Sequence, residues 1–410
     1  MITSRLTAKV LISELNFKIY SLGKEEEDII KKCKKVFDAQ ECGDRLAQIE
    51  NTLDFMKSIW IKYDCKEVAK IYDEFIKMEE ALFGLLREEE KGKRYRDHFV
   101  HMFNCFVFGV RFISSVFGKV SREDFMSLFK VEDENLKKVG LPFRNYKCHQ
   151  RLFYMWTLAS TFHDIAKPFQ NLADLGKGIN RFVDEFGWVS TKPLLTMPYF
   201  DSSQLLDYFH LISSVYGGGL LIENDGRRYK KDNMQYYLTK MLGREFDRLD
   251  HGVLSGFFMW KTIEEIFLTD RSEKHPLNME QFNLYTEYVL EQDIARVALA
   301  VSLHGIDKDK RTGILPKVFP ISFGSFPLVF LLILSDELQE YLRWEGATFR
   351  KELLYDCHPM LDTHFNMNTK AITIKVTFLV NSQNEEEMIT AANRKAKHNN
   401  LVLQRYKRFQ

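Results

Sequence analysis

Between residues 95 and 350, apolar residues recur at helical spacing in long runs. Gly-, Pro- and Asp-rich breaks separate them: KVEDENLKKVGLPFRN, FDSSQ, YGGGLLIENDGRRYKKDN, LTDRSEKHPLN and HGIDKDKRTGILPKVFP. A period near 3.6 gives each helix one apolar stripe that must be covered, and the expected solution is a helical bundle. Residues 1–94 continue the pattern with more Lys and Glu, as in VAKIYDEFIKMEEALFGLLREEEKGKRYRDH, where the charge pairs describe a solvated helix face. This region is expected to pack on the core formed by 95–350. Residues 351–410 differ in character. AITIKVTFLV alternates β-branched and polar residues as a strand does, EEEMITAANRKAKHN has helical character, and LVLQRY is strand-like again. The expected fold is mainly α, with a small C-terminal α/β appendage.

Composition excludes little but steers the reading. Of 410 residues, 45% are apolar and 28% charged, and the net charge of +1 announces neither a nucleic-acid-binding nor an acidic disordered chain. Cys33, Cys42, Cys65, Cys105, Cys148 and Cys357 are dispersed without CxxC pairs, which suits reduced thiols better than a disulfide framework or a zinc ribbon. The first twenty residues carry charges throughout and lack the apolar core of a signal peptide. The longest apolar run, FPLVFLLIL at 326–334, is too short to span a bilayer and reads as a buried helix. The expectation is a soluble, cytoplasmic protein.

Chemistry-bearing residues recur at the ends of the apolar runs. His163-Asp164 follows RLFYMWTLAST and precedes Ile-Ala-Lys-Pro. Burying a carboxylate is unfavourable unless it is paired or coordinates a metal, and an adjacent imidazole nitrogen and carboxylate oxygen can turn to one cation. RDHFVHMFN runs into the apolar CFVFGVRF, with His98 and His101 three apart on one helix side. They are either two helix-surface histidines or one or two ligands. Asp336 follows the 326–334 run directly, where an acidic residue either caps the next element or ligates something. Asp250-His251 opens a run containing Gly252 and Gly256, small enough for close backbone approach, and His304 ends the run LAVSL. One histidine in such a place is usually a satisfied core residue. Four histidines and two aspartates so placed are harder to explain that way.

The ordered set His101, His163-Asp164 and Asp336 resembles the H…HD…D signature of the HD superfamily of metal-dependent phosphohydrolases, over roughly residues 95–345. His251 and His304 are similar to the additional histidines of members that bind two metals. The resemblance implies an HD-type helical bundle and a divalent ion (Mn, Mg, Fe, Co, Ni or Zn) held by His101, His163, Asp164 and Asp336. It also implies a second ion, supported by His251 and His304 and bridged by Asp164. Such ions lower the pKa of bound water and neutralise charge on a phosphoryl group. On this reading His98, one turn before His101, resembles the residue that protonates the leaving oxygen in cyclic-nucleotide phosphodiesterases. RDHFVHMFN still offers both histidines as the first ligand, with His101 favoured because it directly precedes the apolar helix.

Lys167, one turn after Asp164, either places an ammonium on the substrate phosphate or is a solvated lysine before proline. Arg227, Arg228, Lys308, Lys310 and Arg311 are loop cations that meet further phosphates or are simply solvated. The expected activity is hydrolysis of a small nucleotide or related phosphomonoester or phosphodiester. A single-strand nuclease would need a basic groove with stacking platforms, whereas the aromatics (14%) sit mostly in apolar stripes. A non-catalytic nucleotide- or metal-binding sensor is the alternative of a different class.

Overall fold

The computed structural model describes residues 25–42, 44–62, 66–86, 98–117, 129, 148–173, 176, 202–214, 223–224, 227–228, 231–268, 287–305, 326–339, 359–366 and 371–378. These are mainly helical. In chain order the helices are α1 (Glu25–Cys42), α2 (Arg45–Lys62), α3 (Lys66–Leu86), α4 (His98–Phe117) and α5 (Cys148–Phe162). They continue as α6 (Ser202–Ser214), α7 (Lys231–Asp247), α8 (His251–Leu268), α9 (Glu287–His304) and α10 (Pro327–Gln339). Among the described residues, no helix is long and apolar enough to cross a membrane.

Local chemistry sets several helix starts. Asp44 caps α2 by accepting from the Ala47 N–H at 3.0 Å. Asp250 caps α8 by accepting from the N–H groups of Gly252 (3.0 Å) and Val253 (3.1 Å). The proline of the 326–334 run is the first residue of α10. There its missing N–H is no loss, and the first helical bond runs from Phe330 N–H to Phe326 C=O. In α5 the hydroxyls of Thr157, Ser160 and Thr161 donate to carbonyls one turn back, which lets a polar sequence be buried on every side.

Helices α4, α5, α9 and α10 form a closed ring, each packed on the next, with α8 lying along α9. Small residues permit the closest approaches. A Cβ on Gly109 of α4 would lie 1.7 Å from the Trp156 ring of α5, and one on Gly256 of α8 would lie 3.0 Å from the Ala298 carbonyl of α9. The Trp156 indole N–H donates to the Phe106 carbonyl at 2.9 Å, so the ring that occupies the Gly109 notch is also fixed at its polar end.

The N-terminal helices share this core. Phe37 of α1 and Phe55 of α2 pack edge-on against Phe103, and Phe55 also meets Phe106 of α4. The apolar cluster runs without interruption from Ile29 to Leu334.

Two short antiparallel ladders accompany the helices. β1 (Glu223–Asn224) pairs with β2 (Arg227–Arg228), so the Arg227-Arg228 pair read as loop lies on a ladder. β3 (Pro359–Asn366) pairs with β4 (Ala371–Phe378), from Pro359↔Phe378 to Asn366↔Ala371. The alternating segment expected as a strand is β4, and β3 is a partner not anticipated. The expected helix and final strand of the appendage lie outside the described residues.

Candidate metal centre

Four helix ends and a turn converge on Asp164. α5 stops at Phe162, and its last carbonyls find partners other than helix N–H groups. Ser160 C=O accepts from His163 Nδ1 at 2.8 Å, Thr161 C=O from the Tyr72 hydroxyl at 3.2 Å, and Phe162 C=O from Ile165 N–H at 3.1 Å. The chain turns through 163–166, and the Ala166 N–H donates to Ser255 Oγ of α8 at 3.0 Å. The turn is therefore held from several sides, with His163 and Asp164 at its start, both buried.

The two oxygens of Asp164 face different partners. Oδ2 lies 3.3 Å from His101 Nε2 and 3.9 Å from His163 Nε2. Asp336 closes this side, its Oδ1 being 2.9 Å from His101 Nε2 and 4.0 Å from His163 Nε2. The two Nε2 atoms are 3.1 Å apart. Oδ1 of Asp164 lies 3.3 Å from His251 Nε2 and 3.5 Å from His304 Nε2. Metal-ligand bonds of about 2.1 Å place neighbouring ligand atoms about 3.0–3.4 Å apart and opposed ones about 4.2 Å apart. The separations from His101, His251 and His304 are close to the edges of such a polyhedron, whereas those from His163 to the two carboxylates, 3.9 and 4.0 Å, are longer. His101, His163 and Asp164 can hold one ion, and Asp164, His251 and His304 can hold another.

The tautomers fit as well. A carbonyl only accepts, so Nδ1 of His163 carries hydrogen towards Ser160 and Nδ1 of His304 carries hydrogen towards Val301 C=O at 2.6 Å. When neutral, both rings thus present an Nε2 lone pair to the centre, the arrangement that outer partners impose on ligating histidines. Imidazole nitrogens and carboxylate oxygens together suit a divalent cation. His251 is held differently: the Lys167 ammonium, which can only donate, lies 3.3 Å from its Nδ1. Its Nε2 therefore bears the hydrogen and lies 3.3 Å from Asp164 Oδ1. Lys167 also donates to Gln170 Oε1 at 2.8 Å.

Electrostatics agree with this division. Burial pushes the His163 imidazole down to about 4, against the opposing pull of Asp164. Burial, with the Lys167 charge, holds His251 well below its ordinary value. Burial would lower His304 too, but its hydrogen bond to Asp164 and the charges of Asp164 and Asp336 leave it raised. For Asp164, burial is overcome by the His163 charge and the bonds from His101 and His304, which hold its carboxyl well below the usual range. Asp336 is likewise lowered, burial being outweighed by His101.

A pH dependence follows for the metal-free protein. In the unfolded chain His163 and His251 take up protons near pH 6.5, while in the fold they stay neutral, so the unfolded state binds more protons and acid favours it. His304 acts in the opposite sense, stabilising the fold below about pH 6.5 and losing that contribution as pH rises through its raised value. With two rings against one, the chelator-treated protein should melt at a lower temperature at pH 5 than at pH 7. An equal or higher melting temperature at pH 5 would contradict this account.

The structure thus brings His101, His163, Asp164, Asp336, His251 and His304 together, with Lys167 beside His251. Asp336 does not open a new element, as an end-cap would, because α10 continues to Gln339. Its side chain is 28% exposed and that of His251 14%, against 8% or less for Asp164, His101, His163 and His304, so the centre opens on the side of Asp336 and His251. His98 is buried at the first position of α4, with Nδ1 donating to Glu79 of α3 at 2.7 Å. Arg311, Lys308 and Lys310 lie outside the described residues. Tyr72, Glu79 and Ser255, which hold the surrounding elements, were missed in the sequence. Comparison with known protein families, curated proteins and solved structures returns no match.

Proposed function

We propose that the protein is a divalent-metal-dependent phosphohydrolase of the HD type, acting on a small nucleotide or related phosphomonoester or phosphodiester. The observation that carries the reading is the buried Asp164 carboxylate with two imidazole Nε2 atoms on each of its oxygens. A divalent cation bound there supplies positive charge for a phosphoryl oxygen and acidifies a water. The chain's own residues do the rest. Asp164 and Asp336 contribute anionic ligand atoms, and the carbonyls of Ser160 and Val301 keep His163 and His304 in the required tautomer. Lys167, at the open side, binds a phosphoryl oxygen of the substrate. His98 donates a proton to the leaving oxygen, and because Nδ1 is engaged by Glu79 this transfer uses Nε2. A cytoplasmic location accords with this reading, since Cys33 and Cys105 are buried free thiols.

The test is a panel. The full chain is loaded with Mn, Mg, Co, Ni, Fe or Zn and offered nucleoside mono- and triphosphates, cyclic and linear dinucleotides, and single-stranded nucleic acid. Turnover of a small phosphate ester, abolished by chelator, is expected. Turnover of single strands alone would make it a nuclease. Binding of a nucleotide without any turnover, equally with and without Asp164, would make it a sensor.

The Lys167–His251 contact separates the two ions. Binding at His251 Nε2 requires the tautomer that turns an Nδ1–H towards the Lys167 ammonium. The second ion should therefore bind more weakly than the first, and Lys167→Met should narrow the gap. Calorimetric titration with Mn measures both steps. Two equal steps in the unsubstituted protein would show that Lys167 has no such influence.

A further inference from the structure

The geometry points to α3 as the element that sets the affinity of the centre, with Tyr72 and Glu79 as positioning residues for His163 and His101. The inference rests on the metal-centre reading above, but the two residues belong to the charged N-terminal region rather than to the cluster itself. They lie seven residues apart, two helical turns or about 10 Å along one face of α3. Each satisfies the end of a different ligand-bearing helix.

At one end, Tyr72 is fully buried and takes part in a relay of fixed direction. The Trp60 indole can only donate, so the bond from its Nε1 to the Tyr72 oxygen (3.0 Å) leaves the single Tyr72 proton for the Thr161 carbonyl (3.2 Å). Thr161 is the penultimate residue of α5, where carbonyls have no helical partner, and it stands two residues before His163. Trp60 and Tyr72 also pack on Phe162, so apolar contact reinforces the bond at the same place.

At the other end, Glu79 acts as a cap supplied by a neighbouring helix. One carboxylate oxygen accepts from the backbone N–H of His98 (3.3 Å) and from its Nδ1 (2.7 Å). His98 begins α4, so the negative charge sits at the positive end of the helix, one turn before His101. Glu79 and His98 are both at least nine-tenths buried, and neither bond competes with bulk water.

The consequence is a fixed span. The His101 and His163 Nε2 atoms must stay about 3 Å apart to share an ion, and they are 3.1 Å apart here. Their helices are pinned at the ends that carry them, both by α3. Loosening either pin leaves the ligands in place but lets their separation drift, which weakens binding without removing a donor.

The experiment titrates Co into the full chain and follows the visible absorption band, which reports coordination geometry independently of turnover. Tyr72→Phe and Glu79→Gln preserve shape and remove one pin each. Leu242→Ala, on the buried face of α7, is the control for a general loss of stability. Each α3 variant should bind Co about 10-fold more weakly with an altered band, the size of effect known for groups that orient ligands. The control should keep the original affinity and band. Unchanged affinity and band in both α3 variants would overturn the proposal, as would an equal loss in the control. If Tyr72→Phe does not fold, Glu79→Gln decides alone. An unsubstituted protein that binds neither Co nor Mn would instead overturn the metal centre itself, and this inference with it.

Discussion

Replacement of Asp164 by Asn or Ala is expected to abolish turnover and weaken Mn binding by more than about 100-fold, beyond the loss known for mere orienting groups. Asp164 belongs to both groups of residues that can hold an ion, so among the described residues no other single change removes a candidate ligand from each. Asn preserves the shape and isolates the charge. It also removes the main influence that raises His304, whose pKa should fall in the variant, and NMR titration of the ring would show it. The surrounding apolar packing is untouched, so the circular dichroism spectrum should be retained. Full Mn affinity in the Asn variant would show that the carboxylate is structural rather than a ligand.

The second large effect lies far from that carboxylate along the same helices. Arg151 of α5 and Asp293 of α9 are fully buried and joined by bonds from Nη2 (2.5 Å) and Nε (2.8 Å) to Oδ2, while Arg296 adds a bond of 3.1 Å to Oδ1. Asp293→Ala takes a buried carboxylate away from the Arg151 guanidinium, and breaking a buried pair in this way destabilises by about 3–5 kcal/mol. Replacing both partners by apolar residues of similar size, as in Arg151→Met with Asp293→Leu, should recover most of that loss. Urea denaturation of the three proteins measures it. A single variant within about 1 kcal/mol of the unsubstituted protein would mean that water reaches the guanidinium. Because His163 and His304 stand at the far ends of these two helices, the pair also fixes the register in which they meet.

The positions of the candidate centre were legible in the sequence because each interrupts or ends an apolar run, where a charged or ionisable side chain has no reason to be unless something satisfies it. His101, His163, Asp164, His251, His304 and Asp336 share that mark. What supports them carries no such mark. Glu79 lies among Lys and Glu residues that read as a solvated face, and only the fold shows that this one is turned inward. Arg151 and Asp293 are 142 positions apart, and each alone looks like an ordinary helix-end charge. Tyr72 resembles any aromatic of an amphipathic stripe, and its hydroxyl gains meaning only from the nearby Thr161 carbonyl. β3, PMLDTHFN, does not alternate cleanly and becomes recognisable through its pairing with β4. Periodicity registers burial, whereas the pairing of polar groups across long stretches of chain leaves no periodic trace.

The closed ring of α4, α5, α9 and α10 has a consequence for biosynthesis. The first residue of the candidate centre, His101, leaves the ribosome long before the last, Asp336, which is 336 − 101 = 235 residues later. At about 5–20 residues per second the interval is on the order of 10–50 s. Once α9 has been made, and until α10 follows, the nascent chain displays an incomplete ring in which Asp164 lacks its far neighbour Asp336. A ribosome stalled before α10 would present apolar faces of α4 and α9 that only a chaperone or the missing helix can cover.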